Sequence, residues 1–241
     1  MPDTRTRRGP HPKDRECFAP QAVPLLRAAV ADLSWLLSRG YSARAATKLV
    51  GDRYTLRDRQ RKALQRCAAS DDECARRRRR QVEVEALRGE VVAVDGYNVL
   101  LSLEAALCRG VLLLGRDGAL RDMAAMSHHY RRVHATRPAI DLLAEFFEEA
   151  GCAKVLWYLD RPVSNSGRLK KLIEDAVAGR NPAWSVELSP HTDRALADSP
   201  HIVATADSAI LDRCHRWINL VRIVVSRSVP EAWIVDFRDG A

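Results

Sequence analysis

From about residue 90 onward, short apolar runs alternate with amphipathic stretches, and three of those runs end in an aspartate. They are Val91-Val92-Ala93-Val94-Asp95, Val155-Leu156-Trp157-Tyr158-Leu159-Asp160 and Ile202-Val203-Ala204-Thr205-Ala206-Asp207. Runs of four to six β-branched and aromatic residues read as buried strands. Strand alternating with helix predicts a mostly parallel sheet with helices packed on it. After the first strand the pattern predicts a helix from Val99 to about Cys108, a short apolar piece from Val111 to Leu114, and a turn at Asp117-Gly118. A helix from about Pro138 to Ala150, with Ile140, Leu143, Phe146 and Phe147 on one stripe, leads to the second aspartate-tipped strand. Then follow a polar loop, a helix near Arg168 to Val177, a strand from Trp184 to Leu188 and the third aspartate-tipped strand. A helix from Ser208 to Trp217 and closing strands near Ile223 to Val225 and Trp233 to Phe237 complete the expectation.

Before residue 90 the apolar spacing is helical. Leu26, Ala29, Val30, Leu33, Leu36 and Leu37 repeat at close to 3.6 residues, and Gly40 stands where a C-terminal cap belongs. Ser42 opens a second helix ending at Gly51, Thr55 with Asp58 resembles a capping box before a third, and Asp71-Asp72 caps a fourth. That fourth segment carries five consecutive arginines, Arg76 to Arg80, which cover every helical face. They read either as a grip on a nucleic-acid backbone or as a solvated connector. The expected organisation is a flexible basic tail over residues 1–20, a helical domain with its arginine-rich connector over 21–88, and an α/β domain over 89–241.

Composition narrows the class. The 241 residues suffice for one domain of ordinary size plus a small one. No apolar stretch is long enough for a signal peptide or a membrane span, so a cytoplasmic protein without a membrane partner is expected. Six scattered cysteines form no C-x-x-C pair, which points away from zinc knuckles and disulfide frameworks. The net charge of +8 favours phosphate-bearing partners. Arginine supplies 33 of the 39 basic residues, and coding bias with ordinary solvated faces accounts for them equally well.

Parallel strands share one C-terminal edge, so Asp95, Asp160 and Asp207 converge where open α/β sheets bind ligands. Clustered carboxylates repel unless a hard cation holds them, and Mg²⁺ or Mn²⁺ between aspartates and substrate phosphates is the usual arrangement. Each aspartate taken alone reads as a helix N-cap or turn residue. Asn98 either faces the site or caps the following helix. Glu104 shares a stripe with Leu100, Leu103 and Leu107, so it points inward and needs a metal or another partner. Asp212 either joins Asp207 at the metal or pairs with Arg216. Ser164, Ser166, Arg168, Lys170 and Lys171 suit a phosphate at a helix start, or form an ordinary turn. Arg121, Tyr130 and Arg131 suit a nucleic-acid backbone or base. His128 and His129 are adjacent and make a poor metal pair. The chain has no P-loop, no G-x-G-x-x-G and no H-E-x-x-H.

The stretch around Asp95-Gly96-Tyr97-Asn98 resembles the opening of NYN and PIN-like nuclease domains, and Thr205-Ala206-Asp207 through Asp212 resembles their C-terminal acidic motif. Arg39-Gly40-Tyr41, Gly51-Asp52-Arg53-Tyr54 and the loop from Leu159-Asp160 to Gly167 are similar to an uncharacterised prokaryotic family of unknown function, over most of residues 25–215. The resemblance implies a PIN-like three-layer α/β fold preceded by a small all-α domain, a metal-dependent endoribonuclease, and RNA as substrate. It implies Asp95, Asp160, Asp207 and Asp212 as catalytic metal holders, with Asn98 beside them. For the mid-chain acidic position, Glu104, Asp117 and Asp122 compete. A non-cleaving RNA-binding adaptor and a small-molecule phosphohydrolase are the rival readings, and a homo-oligomer is compatible with all three.

Overall fold

The computed structural model describes residues 9–123, 130 and 132–238. Its helical part comprises α1 (Asp14–Cys17), α2 (Val23–Ser38), α3 (Ala43–Arg53), α4 (Asp58–Cys67) and α5 (Asp71–Arg80). The α/β part follows as β1 (Val91–Asp95), α6 (Gly96–Leu107), β2 (Leu112–Leu114), β3 (Leu120–Asp122), α7 (Thr136–Ala150), β4 (Lys154–Asp160) and α8 (Ser166–Val177). It ends with β5 (Ala183–Ser189), α9 (Thr192–Ala197), β6 (Ile202–Ala204), α10 (Ser208–Leu211), β7 (Arg216–Ile218), α11 (Leu220–Ser228) and β8 (Ile234–Asp236).

Local chemistry explains the helix ends. Leu26, Ala29, Val30 and Leu33 form the buried stripe of α2, and Gly40 beyond its end takes the left-handed conformation, φ 79°. The Ser42 side chain accepts from the Ala45 amide and starts α3. Two expected caps move. Ser70, not Asp71-Asp72, caps α5 through a reciprocal box with Glu73, leaving the aspartates in the first turn, where the helix dipole favours them. Thr55 has a positive φ and stands in the turn, so α4 begins only at Asp58.

Five strands form one parallel sheet in the order β5-β4-β1-β6-β7. The chain builds outward from β1 through β4 to β5, then crosses to β6 and β7 on the other side. The reversal lies between β1 and β6, where Val92, Ala93 and Val94 pair with Ile202, Val203 and Ala204. Two sequence expectations fail on the far side. The helix expected from Ser208 to Trp217 stops at Leu211, and Trp217 belongs to β7. Ile223 to Val225 lies inside α11, where Leu220, Val221, Val224 and Val225 are buried at helical spacing. Short apolar runs fit either period, and packing against α6 and α7 decides this one.

A second sheet, ordered β3-β2-β8, changes the domain picture. Its residues Leu113 and Val235, with Val111, Met123 and Phe237 next to the strands, share one core with Phe18, Leu26, Leu33, Val50 and Leu64 of the helical part. The main core lies between the large sheet and helices α6, α7, α8 and α11. Among the described residues no helix is long and apolar enough to cross a membrane.

Candidate functional site at the sheet edge

Asp95 is the last residue of the central strand, and its side chain turns into the crevice beside β6. The Thr205 hydroxyl donates to its Oδ2 at 2.7 Å, and the Asn98 amide approaches Oδ1 at 3.4 Å. Asn98 itself reaches across the crevice, its Oδ1 accepting from the Ala206 amide at 2.9 Å. Asp207 stands just past β6, exposed, and its Oδ1 accepts the Ala209 and Ile210 amides as the N-cap of α10. Capping and site membership, alternatives in the sequence, are therefore compatible: both Asp95 and Asp207 cap a helix while facing the edge.

Burial pushes the Asp95 carboxyl up to about 7. The Thr205 and Asn98 bonds work against that rise, while the charges of Asp207 and Asp193 add to it. Asp193 is the residue that sequence reasoning missed. It lies on α9, which packs over β1 and β4 and beside α10. Its own carboxyl is raised by burial, then by Asp207 and Asp160. The available signal was an aspartate four residues past the end of a strand of the same parallel sheet, hidden by the intervening Pro190-His191-Thr192. Asp160 ends β4 two residues beyond the level of Asp95, about 7 Å further along the strand direction. Its charge also bears on Tyr97, whose buried hydroxyl is pushed up to about 12, first by burial and then by Asp160.

Other expected site residues serve different ends. Asp212 turns away to the arginine run: Arg77 Nη2 and Nε reach its two oxygens at 2.7 and 2.9 Å, and Arg76 adds a contact at 3.1 Å. Glu104 is fully buried some nine residues into α6, about 13 Å along the axis from Asp95. It accepts the hydroxyls of Tyr130 at 2.6 Å and Thr136 at 2.5 Å. Tyr130 is thereby buried rather than offered to a base. Arg121 is likewise buried, doubly bonded to Asp117 at 2.8 and 2.6 Å. Asp122 accepts from Ser102. Lys170 donates to the Val186 carbonyl and pairs with Glu174. Ser166 is buried with its hydroxyl near the Arg161 carbonyl, and Ser164 is exposed with its carbonyl accepting from the Tyr130 amide. Arg168 and Lys171 remain exposed on the first turns of α8, beyond Asp160. Arg131, His128 and His129 lie outside the described residues.

Residues 84–223 match a family described as Domain of unknown function (DUF5616), and residues 25–80 match Protein of unknown function (DUF434). The first match covers more than half of the chain. The chain belongs to the DUF5616 family. A relative, "Uncharacterized protein MJ0935" of Methanocaldococcus jannaschii, is 31% identical over 180 residues, covering 75% of this chain and 86% of its own. No solved structure matches. In this DUF5616 chain, all four edge carboxylates fall inside the matched 84–223 segment, whereas Arg76 and Arg77 come from the DUF434 segment.

Among the described residues no three His, Cys, Asp or Glu side chains stand close enough together to enclose a metal ion. That donor set does not fit an all-protein cage of the calcium type. A magnesium-like ion asks for less, since it commonly takes one or two protein carboxylates and completes its octahedron with water and phosphate.

Proposed function

We propose that this DUF5616 chain is a metal-dependent ribonuclease, with Asp95 and Asp207 holding a Mg²⁺ or Mn²⁺ ion at the switch point of the sheet. One observation carries the reading. Asp95 is a buried carboxylate whose hydrogen-bond partners are a hydroxyl and an amide, and whose ionisation is opposed by the charges of two more carboxylates, Asp207 and Asp193. Such a group favours a cation strongly, because the cation offsets both desolvation and repulsion.

When bound, the ion supplies a water activated for attack and stabilises charge developing on the scissile phosphate. The chain's own residues do the rest. Thr205 fixes the orientation of Asp95, and Asn98 ties the start of α6 to the Ala206 backbone, so the crevice keeps its width. Asp207 commits Oδ1 to the amides of α10, which leaves Oδ2 to offer to the ion. Asp160 and Asp193 extend the negative edge, which would add to its attraction for a cation. Exposed Arg161, Arg168 and Lys171 flank that edge and suit the phosphates of a nucleic acid, in keeping with the net charge of +8.

The test is a calorimetric titration of Mn²⁺ into the natural chain and Asp95→Asn, beside cleavage of single-stranded RNA and of nucleotide monoesters. The expected result is one Mn²⁺-dependent RNA-cleaving activity, lost with Asp95→Asn. Full activity in the variant ends the proposal. RNA binding without a Mn²⁺ site would favour the non-cleaving adaptor, and monoester hydrolysis alone a small-molecule phosphohydrolase.

A further inference from the structure

Beneath the carboxylate edge lies an ion network made from both family segments. Asp117, whose side chain is 1% exposed, receives Arg77 at 2.7 Å and Arg121 at 2.8 and 2.6 Å. Burial alone would raise Asp117, but Arg121 and Arg77 hold it down to about 2, so it stays charged. Arg77 also holds Asp212, which makes a quartet of two positive and two negative groups. Lone buried charges of this kind would be prohibitive, whereas a balanced set is tolerable and fixes register.

What the quartet grips is α10. That helix is a single turn, too short to hold itself. At its start, Arg121 Nε donates to the Ala206 carbonyl at 2.8 Å and Nη2 approaches the Ser208 hydroxyl at 3.3 Å, on either side of Asp207. At its end, Asp212 is held by Arg77 and Arg76, and its carbonyl by Arg80 at 2.9 Å. The Trp217 indole donates to the Arg77 carbonyl at 2.7 Å and seats α5 against β7. The DUF5616 segment adds the Thr205 hydroxyl, which accepts the Asp207 amide at 3.0 Å, and the packing of Ile210 and Leu211 against Leu196 and Trp217, while the charged grips on the two ends come from Arg121 and from α5. We propose that Arg77 and Arg121 are positioning residues for Asp207, through which the helical segment holds the carboxylate edge in working geometry.

The inference rests on the edge being the functional site, and its rival is that the quartet merely docks α5 on the sheet. Two full-length variants separate them. Arg77→Lys keeps the charge but loses the fork that spans two carboxylates, and Asp212→Asn frees the end of α10 while Arg77 keeps its bond to Asp117. Arg78→Gln, in the exposed part of the run, is the control. Amide hydrogen exchange at Ala209, Ile210, Leu211 and Asp212 is compared with that at Ala93 and Val94 in β1, together with Mn²⁺ affinity. Positioning predicts loss of protection confined to α10 and about tenfold weaker Mn²⁺ binding in both variants. The control changes neither. Unchanged α10 protection, or equal loss in β1 and α10, overturns the inference. If the natural chain binds no Mn²⁺, the nuclease reading fails on its own, and the exchange comparison still decides the positioning role.

Discussion

A carboxyl sealed from water beside other carboxyls makes stability depend on pH. For Asp95 the folded value, raised by burial to about 7, lies above the ordinary 3.8, so between those two values the folded chain binds the extra proton. Stability from this group is therefore greatest in acid and falls as pH rises through that window. The difference corresponds to on the order of 4 kcal/mol as an upper bound. Melting in the presence of a chelator should show Asp95→Asn above the natural chain at pH 8, and the two converging below about pH 4. A lower midpoint for the variant at pH 8 would mean that the Thr205 and Asn98 bonds outweigh desolvation. Next to it, Gly96 admits no larger residue: an added Cβ would meet the Tyr158 carbonyl at 2.5 Å and collide with the Trp157 indole. Gly96→Ala should destabilise by roughly 1–3 kcal/mol, measured by denaturant unfolding, and a neutral result would show that β4 yields. Glu104→Gln keeps an acceptor for Tyr130 and Thr136, so Mn²⁺ affinity should not change. Its inward direction was legible from the stripe with Leu100, Leu103 and Leu107. Its hydroxyl partners were not, because they come from residues 26 and 32 positions away.

Elements whose apolar pattern runs long were readable from sequence: α2, α7, α8, β1, β4 and β5 stand where periodicity put them, within a few residues. The misreadings are short elements decided by neighbours. The three-residue strand β3 was not read, whereas β2 falls on the apolar piece at Val111 to Leu114; α10 and β7 were merged into one helix because Ile210, Leu211 and Trp217 are all apolar. Of the edge carboxylates, the three at strand ends were legible and Asp193 was not. Asp212 looked like a site residue because its spacing from Asp207 says nothing about the arginines of α5, more than 130 positions earlier. The arginine run divides between the fold and the solvent. Arg77 is buried, Arg76 and Arg80 bond to Asp212, and only Arg78 and Arg79 are exposed. Replacing that exposed pair by glutamine should therefore flatten the salt dependence of single-stranded RNA binding by at most about 1.4 in log–log slope. A larger change would show that the bonded arginines also reach the ligand.

Taken whole, the molecule draws its small sheet from distant parts of the chain. The strands β2 and β3 follow α6, whereas β8 lies near the C-terminus and pairs with β2 through Leu112 and Ile234. All three roof the core of the first helices. The change of pattern near residue 88 is thus a change in local structure and not a break in packing, and β8 lies beyond the 84–223 segment that matches DUF5616. The practical consequence concerns dissection. Cutting out residues 84–223 would strip β8 from β2, uncover Val111, Leu113 and Met123, and discard Arg77 from Asp117. Such a fragment should aggregate at lower concentration than the full chain, as light scattering would show. The full chain should melt in a single calorimetric transition, and two resolved transitions would show that the halves are autonomous after all. For this chain the matched segments are not units of packing, because the seam that ties β8 to the first helices runs across them.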